Sequence, residues 1–169
     1  MITIGFIGTG LMGLPMAKNI LKSGFKLKAF NRSIEKAEPL KDFGAEISKT
    51  ISDVVKDSDF VITMLTDDSA VDAITSNSDF LDNLKSGSTV IDMSSVKPTT
   101  ATKHGNNLKS KNVNYLDAPV SGGTIGAEEA SLAIMVGGEQ SVFDNSEKIL
   151  KAMGNPTLVG PIGSGQVSK

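Results

Sequence analysis

The sequence predicts an α/β fold, a doubly wound and mainly parallel sheet with helices on both faces. Three observations predict it. Apolar runs of strand length recur along the chain, segments with helical spacing separate them, and several runs, such as "FVITML" at 60–65 and "LAIMVGG" at 132–138, are continuously hydrophobic. Strands buried on both faces by flanking helices read this way, and strand–helix alternation implies right-handed parallel crossovers.

The strands are expected, in order, at Ile2–Gly8, Lys26–Phe30, Phe60–Leu65, Thr89–Met93, Tyr115–Val120, Leu132–Val136 and Thr157–Val159, with a weaker one at Ala45–Ile47. Between the first two, Met12, Met16, Ala17, Ile20 and Leu21 share one helical face. Pro15 places the start of that helix near Leu11, because only a first turn tolerates a missing amide hydrogen, and Gly24 closes it as a left-handed cap. Ser33 is expected to cap a helix from Ile34 to Phe43, with Lys36 where a capping box would carry Glu or Gln. Pro98 suits the first turn of a helix reaching Lys109, and Ser141 is expected to cap one that ends near Met153 before Gly154. Asp68 reads as the cap of "SAVDAI". Glu128 and Glu129 read as solvated charges, and His104, beside Lys103, as a surface residue.

The 169 residues are 39% hydrophobic and 21% charged with a net charge of −2, so no strong field would recruit nucleic acid or an anionic membrane. The chain has no cysteine, which excludes disulfides, a thiolate nucleophile and cysteine-ligated metal. It has no apolar stretch of membrane-spanning length, and its opening apolar run lacks a basic leader. A cytoplasmic protein without nucleic-acid, membrane or metal partners is the expectation.

Gly8, Gly10 and Gly13 form a G-x-G-x-x-G pattern that follows the first strand and opens a helix. In that setting Gly8 allows the turn, Gly10 lets backbone approach a pyrophosphate, and Gly13 allows close helix–strand packing, while the helix terminus favours the anion. This is a Rossmann-type dinucleotide site. NAD-specific sites carry a carboxylate at the end of the second strand to bind the ribose 2′-hydroxyl. Here "KAFNRS" puts Asn31, Arg32 and Ser33 there. A guanidinium pairs with a 2′-phosphate through charge-assisted bonds worth roughly 1.5–3 kcal/mol, so NADP is expected rather than NAD.

Four segments carry a resemblance: "FIGTGLMGLPMAKNI" at 6–20, "IDMSSVKP" at 91–98, "DAPVSGG" at 117–123 and "GSGQVSK" at 163–169. In this order they resemble the β-hydroxyacid dehydrogenase family, which includes 3-hydroxyisobutyrate dehydrogenase and tartronate semialdehyde reductase and is related to 6-phosphogluconate dehydrogenase. The resemblance implies cofactor contacts from Gly8, Gly10, Leu11, Met12, Gly13, Asn31, Arg32, Ser33, Met64, Leu65, Ser95 and Val96. It implies that Ser121, Gly122 and Gly123 hold the substrate carboxylate and that Lys169 is the general acid/base. The implied reaction interconverts a short β-hydroxyacid and its semialdehyde with NADP. A lysine can move the hydroxyl proton in either direction when its surroundings tune its basicity.

Members of that family continue into a helical second domain that covers the site and builds the dimer. Residues 1–162 are therefore expected to form the NAD(P)-binding domain and 163–169 the start of an interdomain helix. The helical domain would be absent, Lys169 frayed and turnover by this chain alone lost. Apolar surface around Ile125, Leu158, Val159 and Ile162 would be left open, and the homo-oligomer of longer relatives would need the missing part. A stand-alone nucleotide-binding module, an imine reductase relative and a 6-phosphogluconate-dehydrogenase-like enzyme are the other readings that the residues leave open.

Overall fold

The computed structural model describes residues 1–169. The chain first lays down strand β1 (Thr3–Ile7), helix α1 (Gly13–Lys22), β2 (Lys26–Phe30), two 3-10 turns (Ile34–Lys36 and Glu38–Phe43) and β3 (Glu46–Ile47). It then crosses back through α2 (Ile51–Val55) to β4 (Phe60–Thr63) on the other side of β1. From there it moves outward through α3 (Asp68–Thr75), α4 (Ser78–Leu81), β5 (Thr89–Asp92), α5 (Pro98–Lys109) and β6 (Asn114–Asp117). The short strand β7 (Val120–Ser121), α6 (Gly123–Glu129), β8 (Leu132–Gly137), α7 (Gln140–Lys151), β9 (Gly154–Gly160) and α8 (Ser164–Ser168) complete it.

The sheet order is β3-β2-β1-β4-β5-β6-β8-β7, with β9 paired to β8. Strands β1 to β6 are parallel; β8 runs antiparallel to β6 and β7 and parallel to β9. Every residue of β4 and β5 is buried, which is why those runs lack alternation. One core cluster joins Met16, Ala17 and Ile20 of α1 to Ala127 of α6 and Phe143 and Ile149 of α7 across one sheet face. A second, on the other face, joins Val54, Val71, Phe80, Ala101 and Leu108 from α2 to α5. The crossovers therefore change face where β1 meets β4. An open sheet of this kind has its ligand crevice outside the carboxyl ends of the strands at such a switch.

All eight expected strands are present, with four local corrections. The run at 115–120 is two strands: after Asp117 the chain leaves β5 and pairs Val120 with Ile134 of β8. The segment 34–43 is two 3-10 turns rather than one α-helix, and Ser33 makes no capping bond. Pro39, at the start of the second turn, has no amide hydrogen to continue a helical ladder. Helix α7 begins at Gln140 after Glu139, so Ser141 lies inside it, and Gly154 opens β9 instead of capping. The cap of α3 is Asp67, which accepts from Ala70 N–H at 2.9 Å. Asp68 instead accepts from Thr100 Oγ1 at 2.7 Å and Lys97 N–H at 3.0 Å, joining α3 to α5.

His104 is buried, not on the surface. Its Nε2 donates to Asp72 Oδ1 at 2.7 Å, and Thr75 Oγ1 lies 3.1 Å from both ring nitrogens. Because a carboxylate only accepts, Nε2 carries the proton. Of the apolar residues expected to be open, Ile125 and Val159 are exposed, while Leu158 and Ile162 are half-buried. No helix is long and apolar enough to cross a membrane.

Candidate functional site

The glycine turn between β1 and α1 is fixed by contacts that only glycine permits at two positions. Gly8 has φ +102°, and a Cβ there would collide with the Met64 carbonyl. At Gly13 a Cβ would collide with the Gly8 carbonyl, so the first turn of α1 lies directly on the loop. Gly10 differs: a Cβ at that position meets nothing within 4 Å. The fold does not need a glycine there, and the open space over it is where a ligand can approach the backbone.

The amides of Leu11, Met12 and Gly13 make no backbone hydrogen bond, while the Gly10 carbonyl accepts from Leu14 N–H at 3.0 Å. Unpaired amides at the amino end of a ten-residue helix suit a diphosphate. A cavity of about 690 Å³ opens beside this turn, lined among others by Thr9, Gly10, Leu11, Lys36 and Thr124. That is within the size range of small-ligand clefts. The geometry therefore fits a dinucleotide.

Asn31 is engaged within the protein. Its Oδ1 accepts from Thr9 N–H at 2.9 Å and its Nδ2 donates to the Ser33 carbonyl at 2.9 Å, so it ties the glycine turn to the loop after β2. It is a positioning residue before it is a phosphate donor. Arg32 is exposed and forms no ion pair within the chain. Lys36, on the same loop and lining the cavity, adds a cation to this side and was readable in the sequence only as an imperfect capping box.

Met64 and Leu65, half-buried, follow β4 across the switch from Gly8. Leu65 N–H donates to Ser94 Oγ at 2.8 Å, joining this loop to the one after β5. In that second loop Ser95 is exposed and Val96 buried. Ser121, Gly122 and Gly123 are exposed at the start of α6, with positive φ at both glycines. Helix α6 is held against α1 by Asn19 Nδ2, which donates to the Ala127 carbonyl at 2.7 Å. The 121–123 loop thus stands on the helix that carries the glycine turn, and Thr124 reaches the same cavity.

Lys169 is held rather than frayed. Its N–H donates to the Gly165 carbonyl at 3.2 Å, and its Nζ donates to Ser95 Oγ. No hydrogen bond joins it to Ser121, Gly122 or Gly123. Beneath the site lie two residues that the sequence did not single out. Asp92 is buried with Oδ1 accepting from Thr63 Oγ1 at 2.9 Å and Ser94 N–H at 3.1 Å, while Oδ2 has no protein partner. Burial pushes its carboxyl up to about 6, offset in part by the Ser94 and Thr63 bonds. Asp117, its neighbour across the sheet, is also raised by burial, against the pull of amides from Gly163 and Gln166. The only signal for either was a carboxylate closing an otherwise apolar strand.

Residues 3–163 match the family model described as the NAD binding domain of 6-phosphogluconate dehydrogenase. The uncharacterised oxidoreductase YkwC of Bacillus subtilis is 44% identical over 99% of this chain and 59% of its own length. The mitochondrial 3-hydroxyisobutyrate dehydrogenase of Drosophila melanogaster is 38% identical over 98% of this chain and 51% of its own. Among solved structures, Mycobacterium tuberculosis 3-hydroxyisobutyrate dehydrogenase with L-serine superposes with a TM-score of 0.95 and 32% identity, over 99% of this chain and 57% of that one. The chain thus spans between half and three-fifths of the length of the proteins it matches.

Proposed function

This chain belongs to the family of NAD(P)-binding oxidoreductases that includes the 6-phosphogluconate and β-hydroxyacid dehydrogenases, and from that membership we propose that it serves an NADP-dependent interconversion of a short β-hydroxyacid and its semialdehyde. Residues 1–162 form the cofactor domain in this reading, and 163–169 begin the element that carries the acid/base group. The observation that carries it is the meeting of Lys169 Nζ with Ser95 at the carboxyl edge of β5, one loop away from the glycine turn.

Gly8, Gly10, Leu11, Met12 and Gly13 would hold the diphosphate, with Arg32, Ser33 and Lys36 at the 2′-phosphate and Asn31 holding their loop in place. Met64, Leu65, Ser95 and Val96 would line the remainder of the cofactor. When bound, the nicotinamide supplies the site for hydride exchange. The chain's own residues orient the substrate and move its proton. Ser121 and the amides of Gly122 and Gly123 would hold the carboxylate, and Lys169 would take or return the proton at the hydroxyl oxygen. The substrates in this reading are β-hydroxyacids such as 3-hydroxyisobutyrate, for which the Drosophila relative is named, or L-serine, with which the Mycobacterium tuberculosis structure was solved.

The test is calorimetric titration of this chain with NADPH and NADH, followed by absorbance assays on a panel of short β-hydroxyacids and semialdehydes. The assays use the chain joined to the helical second domain of a relative, the form in which every turnover is measured. NADPH is expected to bind roughly ten- to a hundredfold more tightly, the range of one charge-assisted pair. Lys169→Ala is expected to bind it equally and to lower turnover by about 10²–10⁴-fold, the usual share of a general acid/base. Tighter NADH binding would refute the cofactor assignment. Undiminished turnover in Lys169→Ala would refute the role of the lysine.

A further inference from the structure

We propose that Asp117 and Gln166 are positioning residues that clamp α8 between the end of β6 and the loop after β5, and so set the Lys169 amine against Ser95; the claim rests on the role proposed above for Lys169.

The clamp grips from two directions. From beneath, the Asp117 carboxylate spans the start of the helix, Oδ1 accepting from Gly163 N–H at 2.8 Å and Oδ2 from Gln166 N–H at 3.0 Å. From the side, Gln166 Nε2 donates to the Ser94 carbonyl at 2.8 Å, and its Oε1 accepts from Val96 N–H at 3.1 Å. Those two partners flank Ser95, the residue that receives Lys169 Nζ. Gln166 and Lys169 lie three positions apart, on neighbouring places of one helical face. The side chain that fixes the height and rotation of α8 is therefore one turn from the amine that needs them. Gly165 lets the helix sit this close: a Cβ there would collide with the Met135 carbonyl and approach the Asp117 carboxylate at 3.0 Å.

All four hydrogen bonds lie among buried groups; two bind α8 to the Asp117 carboxylate at the end of β6 and two bind it to the residues on either side of Ser95. Asp117 and Gln166 touch neither the cavity beside the glycine turn nor the loop after β2. Gln166 does hold the Ser95–Val96 loop proposed to line the cofactor. NADPH affinity is therefore expected to hold in Asp117→Asn and to change only modestly in Gln166→Met, whereas proton transfer should depend on both.

The experiment compares Asp117→Asn, which replaces one acceptor oxygen by a donor, with Gln166→Met, which keeps length and loses both side-chain bonds. Each is measured for kcat, KM, NADPH Kd and the rate of Lys169 acetylation by competitive labelling and mass spectrometry. A displacement of the order of 1 Å costs about 10²-fold in rate, so kcat is expected to fall by about that factor, with Kd held in Asp117→Asn and changed by less than about tenfold in Gln166→Met. Lys169 is itself exposed, so its labelling is read against the unaltered protein and is expected to rise as its amine is released from Ser95. If Asp117→Asn does not fold, Gln166→Met decides. A folded variant with wild-type kcat, or with wild-type Lys169 labelling, overturns the clamp. If the unaltered protein binds neither NADPH nor NADH while the labelling still shifts, the clamp stands and the proposed reaction falls.

Discussion

Asp92 and Asp117 are register partners on adjacent parallel strands, two buried carboxylates at the same level of the sheet. Each is engaged to a different part of the site. Asp92 binds Thr63 and Ser94, while Asp117 binds the start of α8. Burial raises both, and the Asp117 charge raises Asp92 a little further.

Burial of Asp92 gives the protein a pH dependence of definite sign. The Asp92 carboxyl lies at about 6 in the fold against 3.8 without it, so the folded state binds its proton more tightly. Its contribution to stability is fully present below pH 3.8 and is lost as pH rises through about 6. At 1.36 kcal/mol per unit, the contribution lost is about 3 kcal/mol. Asp92→Asn keeps an oxygen for Thr63 and Ser94 and removes the charge. Urea denaturation is expected to find this variant more stable than wild type at pH 8, by about 1–3 kcal/mol, with the difference shrinking at pH 4.5. An unchanged pH slope would show that Asp92 is not the group responsible.

His104 works in the opposite direction. Burial lowers its pKa, and the Asp72 carboxylate only partly restores it. A base depressed in the fold binds protons more tightly when unfolded, so stability is present above pH 6.5 and falls as the pH drops below it. Asp72→Asn retains an acceptor for the neutral ring and removes the compensating charge. Thermal melts are expected to show little change at pH 7.5 and an added loss of roughly 0.5–1 kcal/mol at pH 5, the scale of a partly exposed pair.

Local pattern carried most of the fold because buried parallel strands announce themselves as apolar runs and proline marks the start of α5. His104 was legible too: with Ala101, Gly105 and Leu108 it forms the buried stripe of α5 at spacings of three and four. Its charged neighbour Lys103 lies about 100° round the helix, at the exposed edge of that stripe, and reaches the same Asp72 carboxylate from outside. Within the candidate site, the glycine turn and the Arg32 loop could be read because their chemistry sits in contiguous residues. The clamp on α8 could not. Asp117 meets Gly163 and Gln166 across 46 and 49 residues, and no local spacing encodes that meeting. The division of the 115–120 run was hidden for the same reason, since β7 exists only by pairing with β8.

The three glycines should separate into two classes. Gly13→Ala drives a Cβ into the Gly8 carbonyl, and backbone cannot yield as a side chain would. It is expected to destabilise the protein by about 1–3 kcal/mol in urea titrations, the usual range for overpacking, and to weaken cofactor binding as the turn distorts. Gly10→Ala meets no protein atom. It is expected to melt as the wild type does while losing at least about tenfold in NADPH affinity, through obstruction of the diphosphate. Equal loss of stability in both variants would remove the distinction between packing and ligand approach.

Asn31 and Arg32, adjacent in sequence, should fail in different ways. Asn31 connects Thr9 N–H to the Ser33 carbonyl, so Asn31→Ala releases the loop after β2 from the glycine turn. Both cofactors use that junction, and the variant is expected to lose NADPH and NADH affinity alike, with about 1–2 kcal/mol of stability from the two bonds. Arg32 holds no partner inside the chain, so Arg32→Ala should leave the melting transition in place. Its loss falls on the phosphate that distinguishes the cofactors: NADPH affinity is expected to drop about ten- to a hundredfold while NADH affinity holds. Calorimetry on the two variants with both nucleotides measures this directly. A selective loss of NADPH in Asn31→Ala, or a matched loss of both in Arg32→Ala, would reverse the roles assigned to the two side chains.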